Sequence, residues 1–323
     1  MTLVAARPVP QPKPEYEEKP KSRQELFLLW TFVTVPFLAV LAAIPVALIW
    51  DALHWHDVVV LVLMYTISGL GVTAGFHRYF THGAFKAKRP LKIALGIAGS
   101  LSLEMSVVDW VATHRKHHKF SDKEGDPHSP WRFGTGFKAL CKGLLYAHMG
   151  WLFEPERVNR EKYAPDLMRD PDVRRLHRLF PVLATVSVLA PAVLGGLLSW
   201  SWWGALTGFF WGSLVRISLL HHVTWSVNSI CHVFGEEEFE ARDKSRNVWW
   251  LAIPSFGESW HNLHHADPTC ARHGVLKGQI DLTAAIIRLW ERLGWAYDVR
   301  WPDEKRLAAK RLTTKRLAAK RFG

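Results

Sequence analysis

Four long runs of uncharged, apolar positions alternate along this chain with segments dense in His, Lys and Arg. Leu26–Trp50 is 25 residues without a charge, and Val58–Gly75 is a further 18. Leu179–Trp200 is the third run, and Trp202–Val215 the fourth, continuing past Arg216 to Leu220. At about 1.5 Å per helical residue, such runs cross a hydrocarbon core of roughly 30 Å. Four spans are therefore expected, over 26–50, 58–75, 179–200 and 202–220. Leu91–Val108 is apolar too, but Lys92 and Glu104 interrupt it, which predicts an interfacial or buried helix. Pro36, Pro45, Pro191, Gly195 and Gly196 are compatible with membrane helices. The glycines between Gly69 and Gly75 lack the spacing of a dinucleotide fingerprint and predict close helix packing instead.

Charge adds direction to this pattern. The chain carries 41 Lys+Arg against 29 Asp+Glu, a formal charge of +12. Five of the basic residues precede the first span, 19 lie in 76–178 and 17 in 216–323, while the two remaining connections hold none. Both termini and the middle segment are thus expected on the cytoplasmic side. The first residues, rich in Pro and charge, predict a flexible arm over 1–25 and lack the layout of a secretory signal. Cys141, Cys231 and Cys270 make neither a disulfide framework nor a thiolate metal site.

The histidines fall into three clusters at the ends of these runs. His77 and His82 follow the second run, His114, His117 and His118 lie in the middle segment, and His261, His264 and His265 follow the fourth. Positions i, i+3 and i+4 share a helix face, so each triad presents three imidazoles from one stripe. His77 and His82 are five apart, about 140° round an α-helix, and converge only if the helix ends or bends between them. Eight imidazoles exceed the needs of one tetrahedral ion, which makes two ions in a shared cage the economical reading. Imidazole suits Zn, Cu, Fe and Ni alike, so the ligands alone do not choose the metal. His54, His56, His128, His148, His177, His221, His222 and His273 lack this spacing and read as ordinary interface or core residues.

The sequences around these clusters resemble the boxes of integral-membrane fatty acid desaturases, most specifically the acyl-CoA delta-9 (stearoyl-CoA-type) family in its bacterial form. The first reads from Gly71 to His82. The second runs from Trp110 to His118 and on through Asp122, Asp126 and His128, and the third from Trp260 to Pro268. A fourth element, Thr224 to His232, resembles the segment that supplies a ninth His and an Asn. The likeness extends over about 26–301. It implies a di-iron centre held by His77, His82, His114, His117, His118, His232, His261, His264 and His265, with Asn228 holding a metal-bound water. It also implies an acyl tunnel bent at Trp110, Thr224 and Trp225 and closed at its far end by Tyr65. The expected reaction inserts a cis double bond into a long-chain saturated acyl-CoA, using dioxygen and two electrons from a separate reductase or ferredoxin-like donor. No haem-binding domain and no Cys cluster accompanies the boxes in these residues. Cys270 departs from the small hydroxyl residue expected in the third box, and Tyr163–Arg178 lacks the aromatic pattern of animal relatives, which leaves the headgroup open.

Residues 305–321 form a strict five-residue basic repeat, in which Leu307, Leu312 and Leu317 spread round a helix rather than forming a stripe. A disordered tail attracted to anionic lipid is the expectation. Nucleic-acid binding is not expected, because no aromatic residue interrupts the repeat. Without its eight basic residues the formal charge falls from +12 to +4. The fold class expected is therefore all-α: four membrane spans in 26–301, a cytoplasmic helical cap from 76–178 and 221–301 carrying a histidine-rich dimetal centre, and a basic tail over 302–323. In a bacterium the chain would sit in the inner membrane, with the site facing the cytoplasm. The nearest rival is an acyl-lipid desaturase with the same cage. A membrane fatty-acid or alkane hydroxylase is next. A metal transporter should place ionisable groups inside its spans, and no His-Glu-x-x-His supports a zinc peptidase.

Overall fold

The computed structural model describes residues 13–312. Helix α1, Arg23–Ile49, starts at a capping box in which Ser22 Oγ accepts from Glu25 N and Glu25 Oε2 accepts from Ser22 N. Helix α2, Trp55–Leu70, runs on through π-helical turns Gly71–Thr81. Short helices α3 (Arg89–Ser100), α4 (Val107–Phe120), α5 (Phe137–His148), α6 (Arg160–Tyr163) and α7 (Pro165–Arg169) build the middle segment. Helix α8, Pro171–Ser199, begins with Asp170 as its cap and Pro171 in its first turn. A continuous rod follows: α9 (Trp202–Phe209), a π-helical stretch Phe210–Val215, and α10 (Arg216–Ser229). Helices α11 (His261–Ala266), α12 (Leu282–Arg292) and α13 (Glu304–Lys310) complete the chain. Among the described residues the only sheet is a two-residue ladder, Lys86–Ala87 against Ala296–Tyr297.

Three helices are long and apolar enough to cross a membrane: α1, α2 with its π-helical extension, and α8. Their outer faces are apolar and uncovered, with Leu48 80% and Ile44 71% exposed on α1. A face of that kind finds a partner in hydrocarbon rather than in water. The fourth expected span, 202–220, lies within the Trp202–Ser229 rod. At 28 residues the rod is long enough, but its Trp, Gly and Ser residues and Arg216 dilute its apolarity. Arg216 is fully buried and donates to the carbonyls of Leu101, Gly212 and Ser187.

The small residues of 69–75 do pack closely. A Cβ on Gly71 would come within 2.1 Å of the α3 backbone at Ala98, so α2 and α3 meet there main chain to main chain. Gly195 plays the same part against Gly204 of α9, where a Cβ would meet the carbonyl oxygen at 2.3 Å. The apolar 91–108 stretch forms a 12-residue helix, α3, buried along Leu91, Leu95 and Gly99, and then breaks before α4. Below the spans, Phe76, Phe80, Phe85, Val107, Val111 and Ile287 form the core that joins the cap to α2.

Two expectations about the termini are corrected. The 1–25 arm is anchored from Lys13 onward: Arg160 donates to Glu17 at 2.5 Å, Lys162 to Glu15 at 2.5 Å, and Lys21 Nζ to the carbonyls of Leu152 and Glu154. Tyr16 bridges to Val158 and lies under the Lys116 ammonium, 3.3 Å from the ring centroid. The start of the basic tail is docked: α13 is held through Arg306 on Asp267 and Lys310 on the Ala266 carbonyl, and Leu312 is buried. Periodicity misses both contacts because each is made by charge to a distant segment. Residues 1–12 and 313–323, with the rest of the repeat, lie outside the described residues.

Candidate metal centre

Four local devices bring the histidines together. In α2 the winding changes from α to π, whose i to i+5 hydrogen bonds place residues five apart on one side. His82 N donates to His77 O at 3.2 Å, and the two rings lie 4.9 Å apart, so they converge without the helix ending between them. Helix α4, capped by Ser106, presents His114, His117 and His118. Helix α11 is only six residues long, just enough to carry His261, His264 and His265 on one stripe. His232 enters from a 3₁₀ turn, Ile230–His232, at the end of the long rod.

The nine rings form two adjoining sets. His77, His82, His114, His118 and His264 make one; His117, His232, His261 and His265 make the other. Within each set the offered nitrogens lie within 4.8 Å of one another. Nε2 of His264 is 3.0 Å from that of His77 and 2.9 Å from that of His118, and Nε2 of His261 is 3.1 Å from that of His232 and 3.0 Å from that of His265. Metal–nitrogen bonds of about 2.1 Å give an octahedral edge of about 3.0 Å, so this spacing fits nitrogens on a shared ion. Nε2 of His82 and of His117 have no partner among the described residues although both are buried.

Carboxylates hold the opposite ring nitrogens. Nδ1 of His77 is 2.5 Å from Glu258, that of His117 is 2.9 Å from Asp126, that of His232 is 2.9 Å from Asp122 and that of His265 is 2.6 Å from Asp243. Such a partner fixes the proton on Nδ1 and leaves Nε2 as the donor to a metal. Burial first, and then repulsion from neighbouring imidazoles, holds His82, His114, His118, His261, His264 and His265 well below the usual imidazole range. These rings are therefore neutral at physiological pH, the form that binds metal. Glu258 is also gripped by Arg78, which donates to it at 2.9 Å and to Asp281 at 3.1 Å.

A narrow cavity opens onto the cage. His77, His114 and His261 reach its wall, as do Asn228, Trp110, Thr224 and Trp225, and Trp110 lies against His114 with ring centroids 4.8 Å apart. Tyr65 is outside this lining. It stands behind the wall, donating to the Pro254 carbonyl at 2.8 Å and stacking on Phe256 at 5.8 Å. A second, outer cavity shares Glu104, Met105, Thr113 and Trp225 with the first and extends to Tyr16, Lys21, Arg132 and Arg157. Sequence reasoning named Asp122 and Asp126 without a role and missed Asp243, Glu258, His273 and Glu104. His273, fully buried, has its ring 4.6 Å from His264. Single carboxylates in loops carry no periodic signal that could have found them.

The profile of the family described as fatty acid desaturase matches residues 53–277. A hex-5-enoyl-[acyl-carrier protein] acetylenase of Moorena producens is 40% identical over 88% of this chain and 89% of its own. Delta-9 acyl-lipid desaturase 1 of Arabidopsis thaliana is 36% identical over 90% and 88%, and the sn-1 stearoyl-lipid 9-desaturase of Synechocystis 35% over 91% and 86%.

Proposed function

The chain belongs to the fatty acid desaturase family, and on that premise we propose that it inserts a cis double bond at the delta-9 position of a saturated acyl chain carried on a membrane lipid. The observation that carries this is the convergence of nine imidazoles, in sets of five and four, on an apolar cavity. The donor set fits two ions: unpartnered buried nitrogens, edges near 3.0 Å, and carboxylates behind four of the rings. His77, His82, His114, His118 and His264 would hold one ion and His117, His232, His261 and His265 the other, with Asn228 beside them. Iron, when bound, supplies with dioxygen and two electrons the oxidising power to remove two hydrogens from an unactivated methylene pair.

The chain's own residues prepare that reaction. Glu258, Asp126, Asp122 and Asp243 orient four of the imidazoles, and Trp110 braces His114. Val72, Leu220, Val223 and Phe256 wall the cavity against water, so the acyl chain lies fixed beside the cage. Trp110, Thr224 and Trp225 bend it, and Phe256, backed by Tyr65, limits its depth. Topology follows from the charges: four spans, with 202–220 as the fourth and Arg216 shielded by carbonyls, and the cage on the cytoplasmic side where a separate electron donor reaches it.

A lipid-linked substrate is preferred to acyl-CoA for an electrostatic reason. The outer cavity is lined by Lys21, Arg132 and Arg157 but also by Glu25, Glu104, Asp109, Glu154 and Glu156. Arg157 is already paired with Glu25 at 2.5 Å and Arg132 with Glu154 at 3.7 Å. Such a mouth offers little to the phosphates of coenzyme A, whereas a headgroup of low charge loses nothing there. Two of the relatives above are named for lipid substrates. The test is expression in a host lacking unsaturated fatty acids, with the double bond located by mass spectrometry and lipid and CoA pools followed separately during a pulse. Delta-9 product appearing first in glycerolipid is expected. Product appearing first in acyl-CoA returns the assignment to the acyl-CoA enzyme, and absence of product overturns the desaturase reading.

A further inference from the structure

The connection between α1 and α2 holds a second, smaller group of metal-type side chains. His54 precedes α2, and His56 and Asp57 lie in its first turn, at the opposite end of the helix from His77 and roughly 30 Å from it at 1.5 Å per residue. Asp57 is fully buried and His56 is 6% exposed. Asp57 Oδ2 accepts the backbone N–H of His54 at 2.9 Å, a helix cap that uses one oxygen. Its other oxygen, His54 Nδ1 and His56 Nε2 are all buried without a hydrogen-bond partner among the described residues. The three residues' ligand atoms lie within 4.8 Å of one another, with His54 Nδ1 and His56 Nε2 each 3.5 Å from an Asp57 oxygen.

These distances decide between two explanations. A hydrogen-bonded His–Asp pair closes to about 2.7–2.9 Å, and neither pair here does. Ligands at about 2.1 Å from a tetrahedral ion stand about 3.4 Å apart, and the two His–Asp separations, one to each Asp57 oxygen, are of that size. The α2 N-terminus alone supports this buried carboxylate, with no Lys or Arg beside it among the described residues, unless a cation joins it. The loop is rigid enough to present the set: Trp211 Nε1 donates to the Ala52 carbonyl at 2.7 Å, and the His54 and His56 rings lie nearly parallel, 12° apart. The His54 side chain is 38% exposed, so an ion and a water in the fourth position can enter from solvent.

The geometry points to a mononuclear divalent transition-metal site formed by His54, His56 and Asp57, with zinc the ion that fits it. It is separate from the nine-histidine cage. Two imidazoles, one carboxylate and an open position suit zinc, and by ligand type nickel and copper as well. The ion would clip the α1–α2 turn to the first turn of α2. The site is independent of the reaction assigned to the cage.

The test uses the full-length protein in detergent, its metal content counted after equilibrium dialysis against zinc. Wild type is expected to hold one more ion per chain than His54→Ala or His56→Gln, while His118→Ala keeps that extra ion. His54 is partly exposed, so its replacement leaves folding undisturbed; Asp57 is avoided because it caps α2. Anomalous scattering at the zinc edge supplies an independent readout, with density expected between His54 Nδ1 and His56 Nε2. Equal ion counts in wild type and both variants overturn the assignment, and so does an absence of anomalous density there in zinc-soaked wild type.

Discussion

Asp122 Oδ2 lies 2.9 Å from His232 Nδ1, across 110 positions of sequence, and also accepts the backbone N–H of Lys244 at 2.8 Å. One carboxylate thereby sets the ring of His232 and ties the loop after α4 to the loop before α11. Burial alone would depress this imidazole, but Asp122, with Asp243 and Asp126, lifts it to about 8. Asp122→Asn is expected to lower metal affinity by about 10–100-fold while the helices stay intact. Iron per chain after dialysis, read beside far-ultraviolet circular dichroism, checks this.

His118 sits where the two sets of rings meet, against His264 on one side and stacked on His265, 4.4 Å away, on the other. His118→Ala should abolish desaturation, leaving about 1% of activity or less, while the protein still inserts into membranes. Product analysis together with membrane fractionation decides. Full activity in the variant would remove the cage assignment.

Glu104 is the carboxyl shared by the two cavities, with Trp110 Nε1 donating to it at 3.1 Å and its Oε1 unpartnered. Burial pushes its pKa up to about 7. The unfolded chain ionises it near 4.5, so between pH 4.5 and 7 the folded state holds the extra proton, and stability falls as pH rises through that window. Two and a half pH units correspond to at most about 3 kcal/mol. Glu104→Gln should flatten this slope and protect activity above pH 7. Melting temperatures of both proteins at pH 5 and 8 test it, and parallel slopes would count against it.

Arg306 and Lys310 of α13 hold Asp267 and the Ala266 carbonyl at the C-terminal end of α11. A helix of six residues depends on its caps more than a long one does. Truncation after Leu312 should leave activity and metal content unchanged. Removing 304–312 as well should cost about 1–2 kcal/mol of local stability and accelerate metal loss. Chelator-driven release rates for the two truncations are the measurement.

Three of the four expected membrane helices and the two histidine triads were legible because both are periodic, as apolar runs of bilayer length and imidazoles at i, i+3 and i+4, whereas His232 came only from the resemblance. The five-residue step from His77 to His82 was legible as a pair but not as a geometry, since π winding arises where Gly71 and Gly75 press α2 onto α3. Asp243, Glu258 and Glu104 were not legible, because each acts across more than a hundred residues or from a loop. The arm and the start of the tail escaped for the same reason: composition made them solvent-seeking, while Glu15, Glu17 and Arg306 found fixed partners.

The carboxylates behind the cage have a consequence for how the protein acquires its ions. Arg78 offsets Asp281, which leaves Glu258, Asp122, Asp126 and Asp243 as four carboxylates gathered behind the rings in a buried shell. Divalent cations in the cage would offset these charges. The empty shell is therefore a region of like charge held together by the fold, and loading it converts self-repulsion into cohesion. Maturation of the metal centre and final consolidation of the cap are then one event, and an iron-starved cell would accumulate a loosened chain rather than a silent but intact enzyme.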